Sequence, residues 1–187
     1  MAKSAAEVLL GLCLLLSVSA RAQDRPTAAT DVTKVELDAV FATLGDSIDK
    51  QVKIVDIGSD TNVAVGILHR GELRSEGDVG GIVHQQVTEV YYILEGSGTL
   101  LTGGPIADVR EFPVDSSAVT ELIGPSAMGT FTSGTSRPVS AGDVVVIPAG
   151  VSHGFSHIET GGVSYLSIRI DPEQVLPAGW VNPVLSR

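Results

Sequence analysis

The sequence predicts an all-β domain, and three observations lead to that prediction. Glycine is frequent, with 21 residues, whereas aromatic residues make up only 4% of the chain. Short runs rich in valine, isoleucine and threonine are separated by glycine-containing turns. The length of 187 residues suits one domain with its own hydrophobic core. Many short strands separated by tight turns favour a sandwich or a barrel.

The N-terminal segment, residues 1–22, has the pattern of an export signal. A lysine precedes an apolar run too short to span a bilayer, and small residues around the Ala22 position suit cleavage. Cleavage there would start the mature chain near Gln23 and remove Cys13, the only cysteine. We therefore expect an exported protein, periplasmic or extracellular, in which any metal is held by nitrogen and oxygen atoms.

The net charge argues against two classes of partner. The formal charge at pH 7 is −10. Nucleic acids and anionic membrane surfaces are bound through basic patches, which an acidic chain supplies poorly. We expect no nucleic-acid partner, and no membrane partner once the signal has been cleaved.

The remaining chain divides into an N-terminal part, residues 23–50, and a barrel domain, residues 51–187. Apolar positions in residues 32–44 fall near helical spacing, which predicts a short amphipathic helix after a linker. Period and turn signals then predict strands. The predicted strands are residues 52–57, 62–70, 90–94, 98–102, 129–133, 143–147 and 162–170.

Two segments of this domain have less regular patterns. Residues 103–142 are long for a connection, and their centre shows no steady period, so we expect a surface excursion that could cover the mouth of a barrel. The tail after Asp171 is irregular but carries Trp180, the only tryptophan, and we expect a packed C-terminal strap.

Two motifs carry the chemistry. The segment from Gly142 to His153 is typical of a strand, a Pro-Gly turn and a returning strand that delivers one histidine. The earlier segment from His84 to Gly96 offers a histidine, the carboxylate of Glu89 and a strand that reaches a glycine turn. Together the segments resemble the paired motifs of the cupin superfamily. The resemblance implies a single double-stranded β-helix, or jelly-roll barrel, which usually holds a divalent metal.

The first cupin motif, G-x5-H-x-H-x3-4-E-x6-G, can be aligned in two ways. With Glu89 as the glutamate, His84 is the second histidine and Ile82, which cannot bind metal, occupies the place of the first. Alternatively His84 is the first histidine and Gln86 replaces the second, with a gap one residue shorter than usual. The first alignment keeps the spacing and is preferred.

The second motif, G-x5-P-x-G-x2-H-x3-N, matches from Gly142 through His153, and His157 stands where the family often has asparagine. The resemblance then implies that His84, Glu89 and His153 bind a divalent ion: iron(II), manganese, nickel or zinc. Such a set leaves coordination positions open. The isoleucine at the first histidine position also raises the alternatives of weaker affinity, a different metal or no metal.

The two-residue period of strands suggests candidate acid–base groups. Tyr91 lies two residues after Glu89 and should face the barrel interior, where its hydroxyl could transfer a proton or orient a substrate. His157 should share a face with His153, and either acts on the substrate or has a buried structural role. We predict Tyr91 and His157 as catalytic residues.

The last strand leaves one orientation open. Tyr165, Ser167 and Arg169 share one face, and the pattern does not say whether that face is inside. An inward Arg169 would favour a carboxylate or enolate ligand. A salt bridge at the barrel rim is the preferred interpretation.

The resemblance implies two functions of different kinds. The first is a secreted metal-dependent enzyme, of dioxygenase, isomerase, lyase or decarboxylase type, acting on a small oxygenated organic molecule. The second is a non-catalytic module that binds a small molecule or a metal, which the isoleucine in place of a histidine favours. A homodimer is compatible with both.

Overall fold

The computed structural model describes residues 26–186, so the predicted leader lies outside the described residues. Helix α1 spans Lys34–Phe41, a π-helical turn spans Ala118–Ile123, and a 3-10 helix spans Pro183–Ser186. Ten strands make up most of the rest. They are β1 (Asp49–Asp56), β2 (Asn62–Arg70), β3 (Leu73–Arg74), β4 (Gly80–His84), β5 (Thr88–Thr102), β6 (Ile106–Glu111), β7 (Ser126–Phe131), β8 (Thr135–Ser140), β9 (Val144–Ile147) and β10 (His153–Asp171).

The strands pair antiparallel and form a double-stranded β-helix, which confirms the predicted fold class. Strands β5 and β10, of 15 and 19 residues, pair with each other along most of their length. The first half of β5 also pairs with β9 and the second half with β8. The later half of β10 continues to β2 and β1, and its start continues to β4, β7 and β6. Each long strand therefore pairs with different strands along its two halves and connects the two sides of the barrel.

Helix α1 lies within the predicted range and has a defined N-terminus. The Thr33 hydroxyl accepts from the Glu36 amide at 3.3 Å, and the Glu36 carboxylate accepts from the Thr33 amide at 2.9 Å. This capping box satisfies two amides that the helix itself cannot pair. On the inner side, Val40 packs with Val52 and Ile67, which attaches the helix to the outside of strands β1 and β2. Within residues 26–186, no helix is long and apolar enough to cross a membrane.

The barrel interior is filled by alternate residues of the strands, as the two-residue period requires. The main cluster consists of Leu68, Tyr91, Ile93, Leu100, Val139, Val145, Ile147, Phe155, Ile158, Val163 and Tyr165. Because Tyr91 and Tyr165 belong to this cluster, the faces of β5 and β10 that carry them point inward.

Strand β5 is continuous where the sequence predicted two strands. The backbone at Gly96 has a φ of +80°, and a Cβ there would overlap the carbonyl oxygen of Gly162 on β10. Glycine alone tolerates both the left-handed conformation and this close approach. The Gly-Ser-Gly sequence therefore bends the strand without ending it. The short strands β3, β4, β6 and β8 were not predicted.

The segment 103–142 is more ordered than predicted. It contains β6, the π-helical turn, β7 and β8. Phe112, Leu122 and Ile123 from this segment line the cavity that also contains His84 and Glu89, so the segment forms part of the wall of that cavity.

The C-terminal tail packs as a strap, as predicted. The side chain of Trp180 packs against the cluster that contains Ile54 and Leu176. The Ile54 amide donates to the Trp180 carbonyl oxygen, and the Gly179 amide donates to the Ile54 carbonyl oxygen, both at 2.9 Å. These bonds tie the tail to β1.

We expect Gly96→Ala to destabilise the protein far more than Gly103→Ala. Both positions have positive φ, +80° and +71°, but a Cβ at Gly103 meets no atom within 4 Å. Gly103→Ala should therefore cost only the left-handed conformation, about 1–2 kcal/mol. Gly96→Ala adds a backbone overlap and should cost about 3 kcal/mol or more. Urea unfolding of both variants measures the difference, and equal losses would contradict this account of the bend.

Candidate metal centre

Three strands bring His84, Glu89 and His153 together. His84 ends β4, Glu89 lies near the start of β5, and His153 begins β10. Their side chains are 4%, 2% and 3% exposed. One ligand atom from each lies within 4.8 Å of the others, and both histidine Nε2 atoms are 3.2 Å from Glu89 Oε2. The spacing of the first alignment thus matches the geometry.

The outer nitrogens of both imidazoles have partners that determine their protonation. His153 Nδ1 lies 3.1 Å from the Val151 carbonyl oxygen, which can only accept, so Nδ1 carries the hydrogen. His84 Nδ1 lies 2.8 Å from Ser126 Oγ, whose own hydrogen is donated to the Gly124 carbonyl oxygen at 2.9 Å. The serine oxygen therefore accepts from His84 Nδ1. In the neutral form, both histidines present an unprotonated Nε2 to the site.

These nitrogens face a carboxylate oxygen, and nothing of the protein lies between them. The Nε2 atom of His153 is buried without a hydrogen-bond partner although Glu89 Oε2 is only 3.2 Å away. Burial lowers the pKa of His84 by more than the neighbouring Glu89 carboxylate raises it, which keeps that imidazole neutral. Two nitrogen lone pairs and a carboxylate oxygen converge on one buried point. A cation fits this donor set, and the set matches the ligands of divalent transition metals.

The carboxylate of Glu89 accepts hydrogen bonds from three side chains. The Tyr91 hydroxyl donates to Oε2 at 2.9 Å, and Oε1 accepts from the Ser167 hydroxyl at 2.7 Å and from Arg169 Nε at 3.1 Å. Burial alone would raise the pKa of Glu89, but this pKa lies well below its ordinary value, since the charged Arg169 guanidinium and the hydrogen bonds that the carboxylate accepts favour its ionised form. Glu89 is therefore ionised and fixed in orientation, as a metal ligand needs to be.

Behind Glu89 lies an ionic network centred on the fully buried Arg169. Arg169, on β10, also donates to the side chains of Gln51 and Asp49, both on β1. Burial would lower the pKa of Arg169, but the carboxylates of Asp49 and Glu89 raise it above its ordinary value, so the guanidinium stays charged. The network connects the ligand strand β5 to the opposite edge of the barrel.

The tyrosine next to the site stays protonated. Burial, followed by the negative charge of Glu89, raises the pKa of Tyr91 well above its ordinary value. Its ring lies 5.9 Å from the His153 ring, in an edge-on arrangement. Tyr91 can therefore hold a proton at Oη beside the three ligands.

The three ligands line a cavity of about 570 Å³. Much of its wall is apolar, with Leu68, Ile82, Phe112 and Met128 among the lining residues. Ile82 lies two residues before His84 on the same strand and pairs with His153 across β4 and β10. The residue at the missing histidine position thus contributes a hydrocarbon side chain directly to the wall beside the ligands.

The structure brings together four of the five predicted site residues: His84, Glu89, His153 and Tyr91. His157 lies elsewhere. Its Nε2 is 3.1 Å from Glu159 Oε1, and its side chain is 28% exposed. A register shift between Phe155 and His157 breaks the two-residue alternation, so that Ile158 takes the inward position. The prediction that His157 faces the interior with His153 is wrong.

The other predicted alternatives also have definite positions. The amide of Gln86 donates to Glu173 at 2.7 Å, outside the ligand group. His69, a histidine outside the two motifs, has its Nδ1 2.9 Å from the Ser164 hydroxyl and is not part of the group either. The preferred rim salt bridge for Arg169 is wrong, since this side chain is fully buried and contacts Glu89.

Sequence reasoning missed Ser126 and Asp49 entirely. Neither has a local pattern that distinguishes it from a surface residue, because each is brought to the site by strand pairing over a long sequence distance. For Arg169, a signal was present. It shares a strand face with Tyr165 and Ser167, and an aromatic residue such as Tyr165 favours the buried face, which would have placed Arg169 inside.

Comparison with known proteins supports a family assignment. The family model described as Cupin matches residues 62–187. No curated protein matches the sequence. Solved structures with a similar fold include BH2720 of Bacillus halodurans, at 14% identity and a TM-score of 0.43, covering 84% of this chain and 92% of that one.

Two further similar structures come from larger proteins. Hazelnut vicilin, from Corylus avellana, is 16% identical with a TM-score of 0.34, and the match covers 61% of this chain and 24% of vicilin. Oxalate decarboxylase of Lactobacillus farciminis is 16% identical with a TM-score of 0.36, and the match covers 67% of this chain and 29% of the decarboxylase.

Proposed function

The chain belongs to the cupin family, and on that premise we propose that it is a metal-dependent enzyme acting on a small oxygenated organic molecule. One observation carries the proposal. The Nε2 atoms of His84 and His153 and the carboxylate of Glu89 converge on one buried point, which lies in the wall of a cavity of about 570 Å³. A cavity of this size suits a small ligand.

Two imidazoles and one carboxylate would hold iron(II), manganese, nickel or zinc and leave coordination positions open. A bound ion would supply Lewis acidity, or activation of dioxygen, to a carbonyl, hydroxyl or enolate of the substrate. Dioxygenase, isomerase, lyase and decarboxylase chemistry are all compatible with this centre. The neighbouring network is already arranged to keep the glutamate charged.

Several residues of the chain have roles that do not depend on the identity of the metal. Ser126 and the Val151 carbonyl fix the orientation of the two imidazoles. Tyr91 holds a proton 2.9 Å from the ligand oxygen of Glu89, where it could donate to a substrate oxygen. The apolar wall, with Phe112 and Ile82, would limit water around the substrate.

A second candidate is a non-catalytic module that binds a small molecule or a metal in the same cavity. The observation that favours it is Ile82, whose hydrocarbon side chain lies where the resemblance would place another histidine. Export remains part of the proposal and rests on the pattern of residues 1–22. The homodimer stays a prediction.

Metal content distinguishes these possibilities. We expect about one divalent ion per chain in the wild-type protein, and its loss in the double variant His84→Ala/His153→Ala, since one carboxylate alone retains little affinity. His157→Ala is the matched control, because His157 lies outside the ligand group, and it should keep the metal. Elemental mass spectrometry of protein without an affinity tag gives the count.

Absence of metal from the wild type, even after incubation with iron(II), manganese, nickel and zinc, would contradict the enzyme proposal. If metal binds as expected, an activity screen separates the two candidates. The protein is incubated with small hydroxyl and carbonyl compounds, and NMR measures whether any of them is consumed. Turnover that disappears in the double variant supports the enzyme, and stoichiometric metal without turnover supports the binding module.

A further inference from the structure

The guanidinium of Arg70 lines the cavity beside His84, Glu89 and His153, whereas Arg169 does not line it. Arg70 ends strand β2 and contributes to the same cavity wall as His84, Glu89 and His153. Its Nε donates to the Tyr165 hydroxyl at 2.9 Å. Within residues 26–186, this is its only side-chain hydrogen bond, and no carboxylate lies within ion-pair distance of it.

The guanidinium of Arg70 is contacted by protein groups at its Nε side, whereas its η nitrogens have no partner among the described residues. The bond from Nε to Tyr165 and the ring of Phe155, 6.0 Å from the guanidinium carbon, position the group. Tyr165 is itself fully buried and packs 4.5 Å from Tyr91, measured between ring centroids. The two η nitrogens have no acceptor among the described residues and are not sealed from solvent, and the residue lines the cavity.

The charged groups at the cavity wall differ in their pairing. Glu89 and Asp49 both pair with Arg169, so these two carboxylates and the guanidiniums of Arg169 and Arg70 together carry no net charge. The other lining acid, Asp78, is exposed and forms no ion pair with Arg70. Burial would lower the pKa of Arg70, but neighbouring Tyr165 and other groups raise it above its ordinary value, so the guanidinium stays charged. A divalent ion at the ligand group would leave Glu89, Asp49, Arg169 and Arg70 with excess positive charge around them.

We propose that Arg70 binds the carboxylate of the substrate, whose other oxygen-bearing end lies at the metal. The pair of η nitrogens presents the planar fork that a carboxylate matches with two parallel hydrogen bonds. The proposal rests on the proposed function, since it names the substrate class of the same site: a small organic acid with a second oxygen donor. Charge also favours a carboxylate when a divalent ion is bound, because the ion would leave these groups with excess positive charge.

A ligand series tests the proposal without knowledge of the natural substrate. Malonate, succinate and glutarate carry two carboxylates at increasing separation, and malonamide, succinamide and glutaramide are their uncharged counterparts. Isothermal titration calorimetry of the metal-loaded protein should show binding of at least one diacid and much weaker binding of its diamide. The best spacing reports the separation between the metal and Arg70.

Substitution then assigns the effect to one side chain. Arg70→Gln should weaken binding of the best diacid about 10–100-fold, the usual effect of losing a charge-assisted hydrogen-bond pair. Arg74→Gln is the matched control, since Arg74 is exposed, does not line the cavity and should leave the affinity unchanged. Arg70→Lys keeps the positive charge but loses the planar pair of η nitrogens. The lysine variant should bind the diacid less tightly than wild type, and it replaces the glutamine variant in this test if that variant does not fold.

Failure of this proposal can be told apart from failure of the proposed function. The same titrations of chelator-treated protein should retain a weaker affinity that depends on Arg70, whether or not a metal binds. Equal affinities of wild type and Arg70→Gln, equal binding of diacids and diamides, or no binding of any diacid would each overturn the role of Arg70. In those cases a stoichiometric metal would leave the enzyme proposal standing.

Discussion

Replacing Arg169 with methionine is expected to lower the free energy of unfolding by about 3–5 kcal/mol, the usual range for breaking a buried ion pair. The guanidinium is fully buried and contacts Glu89, Asp49 and Gln51. Methionine fills similar volume but leaves two carboxylates without a compensating charge. Denaturant unfolding of the metal-free protein measures the loss, so that metal binding does not contribute.

Arg137→Met provides the matched control for this prediction. Arg137 is exposed and donates one hydrogen bond, of 3.2 Å, to the Thr102 hydroxyl. Its substitution should change the free energy of unfolding by about 0.5 kcal/mol or less. A similar small loss in Arg169→Met would mean that the buried network contributes little to stability.

Restoring a histidine at position 82 should increase metal affinity. Ile82 lies on the same face of β4 as His84 and opposite His153, within the same cavity wall. Ile82→His would add a fourth protein ligand, and we expect affinity for zinc or nickel to rise about 10–100-fold, a change of the size that ligand-shell substitutions produce. Competition with a chelator of known affinity measures the change.

Val83→His is the control for this variant, because neighbouring residues of a strand point to opposite faces. It introduces the same side chain into the same strand without directing it to the site, and should leave metal affinity unchanged. If Ile82→His also leaves the affinity unchanged while the protein stays folded, position 82 is too far from the ion to serve as a ligand position.

The ligand group could be predicted from sequence because its spacing is local. Glu89 follows His84 within one turn and the start of a strand, and His153 follows a Pro-Gly turn whose conformation has few alternatives. Each motif fixes the direction of its own histidine or carboxylate. Only their meeting in space depends on the fold, which the order of the two motifs indicated.

Two other predictions were wrong. One assumed that side chains alternate strictly between the two faces of a strand, and the other assumed that a strand ends at a glycine turn. The shift between Phe155 and His157 moved His157 outward, and no sequence signal marks an extra residue in that strand. Gly96 lies in a Gly-Ser-Gly sequence typical of a turn, yet it pairs with Val163 and lies against the Gly162 carbonyl oxygen, so the chain bends within β5 instead of ending the strand. Local sequence does not reveal whether a glycine with positive φ has a neighbouring strand.

The burial of Arg169 shows a third kind of difficulty. A charged side chain at alternating positions is usually exposed, and only the long-range pairing of β10 with β5 and β2 places it between Glu89 and Asp49. The acids that stabilise it come from other strands. The orientation of such a residue is determined by the acidic side chains that contact it, and these lie far away in the sequence.

The curvature of the β5–β10 ladder has a consequence for the kinetics of metal exchange. Glu89 pairs opposite Arg169 and Thr102 opposite His153, so the two ligands stand at far ends of one ladder, yet their side chains are 3.2 Å apart. The 15 residues of β5 would span about 50 Å if straight. A bound ion would cross-link the two ends of this coiled ladder, and release of the ion would therefore be coupled to fraying of the barrel. Amide exchange along β5 and β10 should then slow when metal is present, by the amount that metal binding stabilises the closed form.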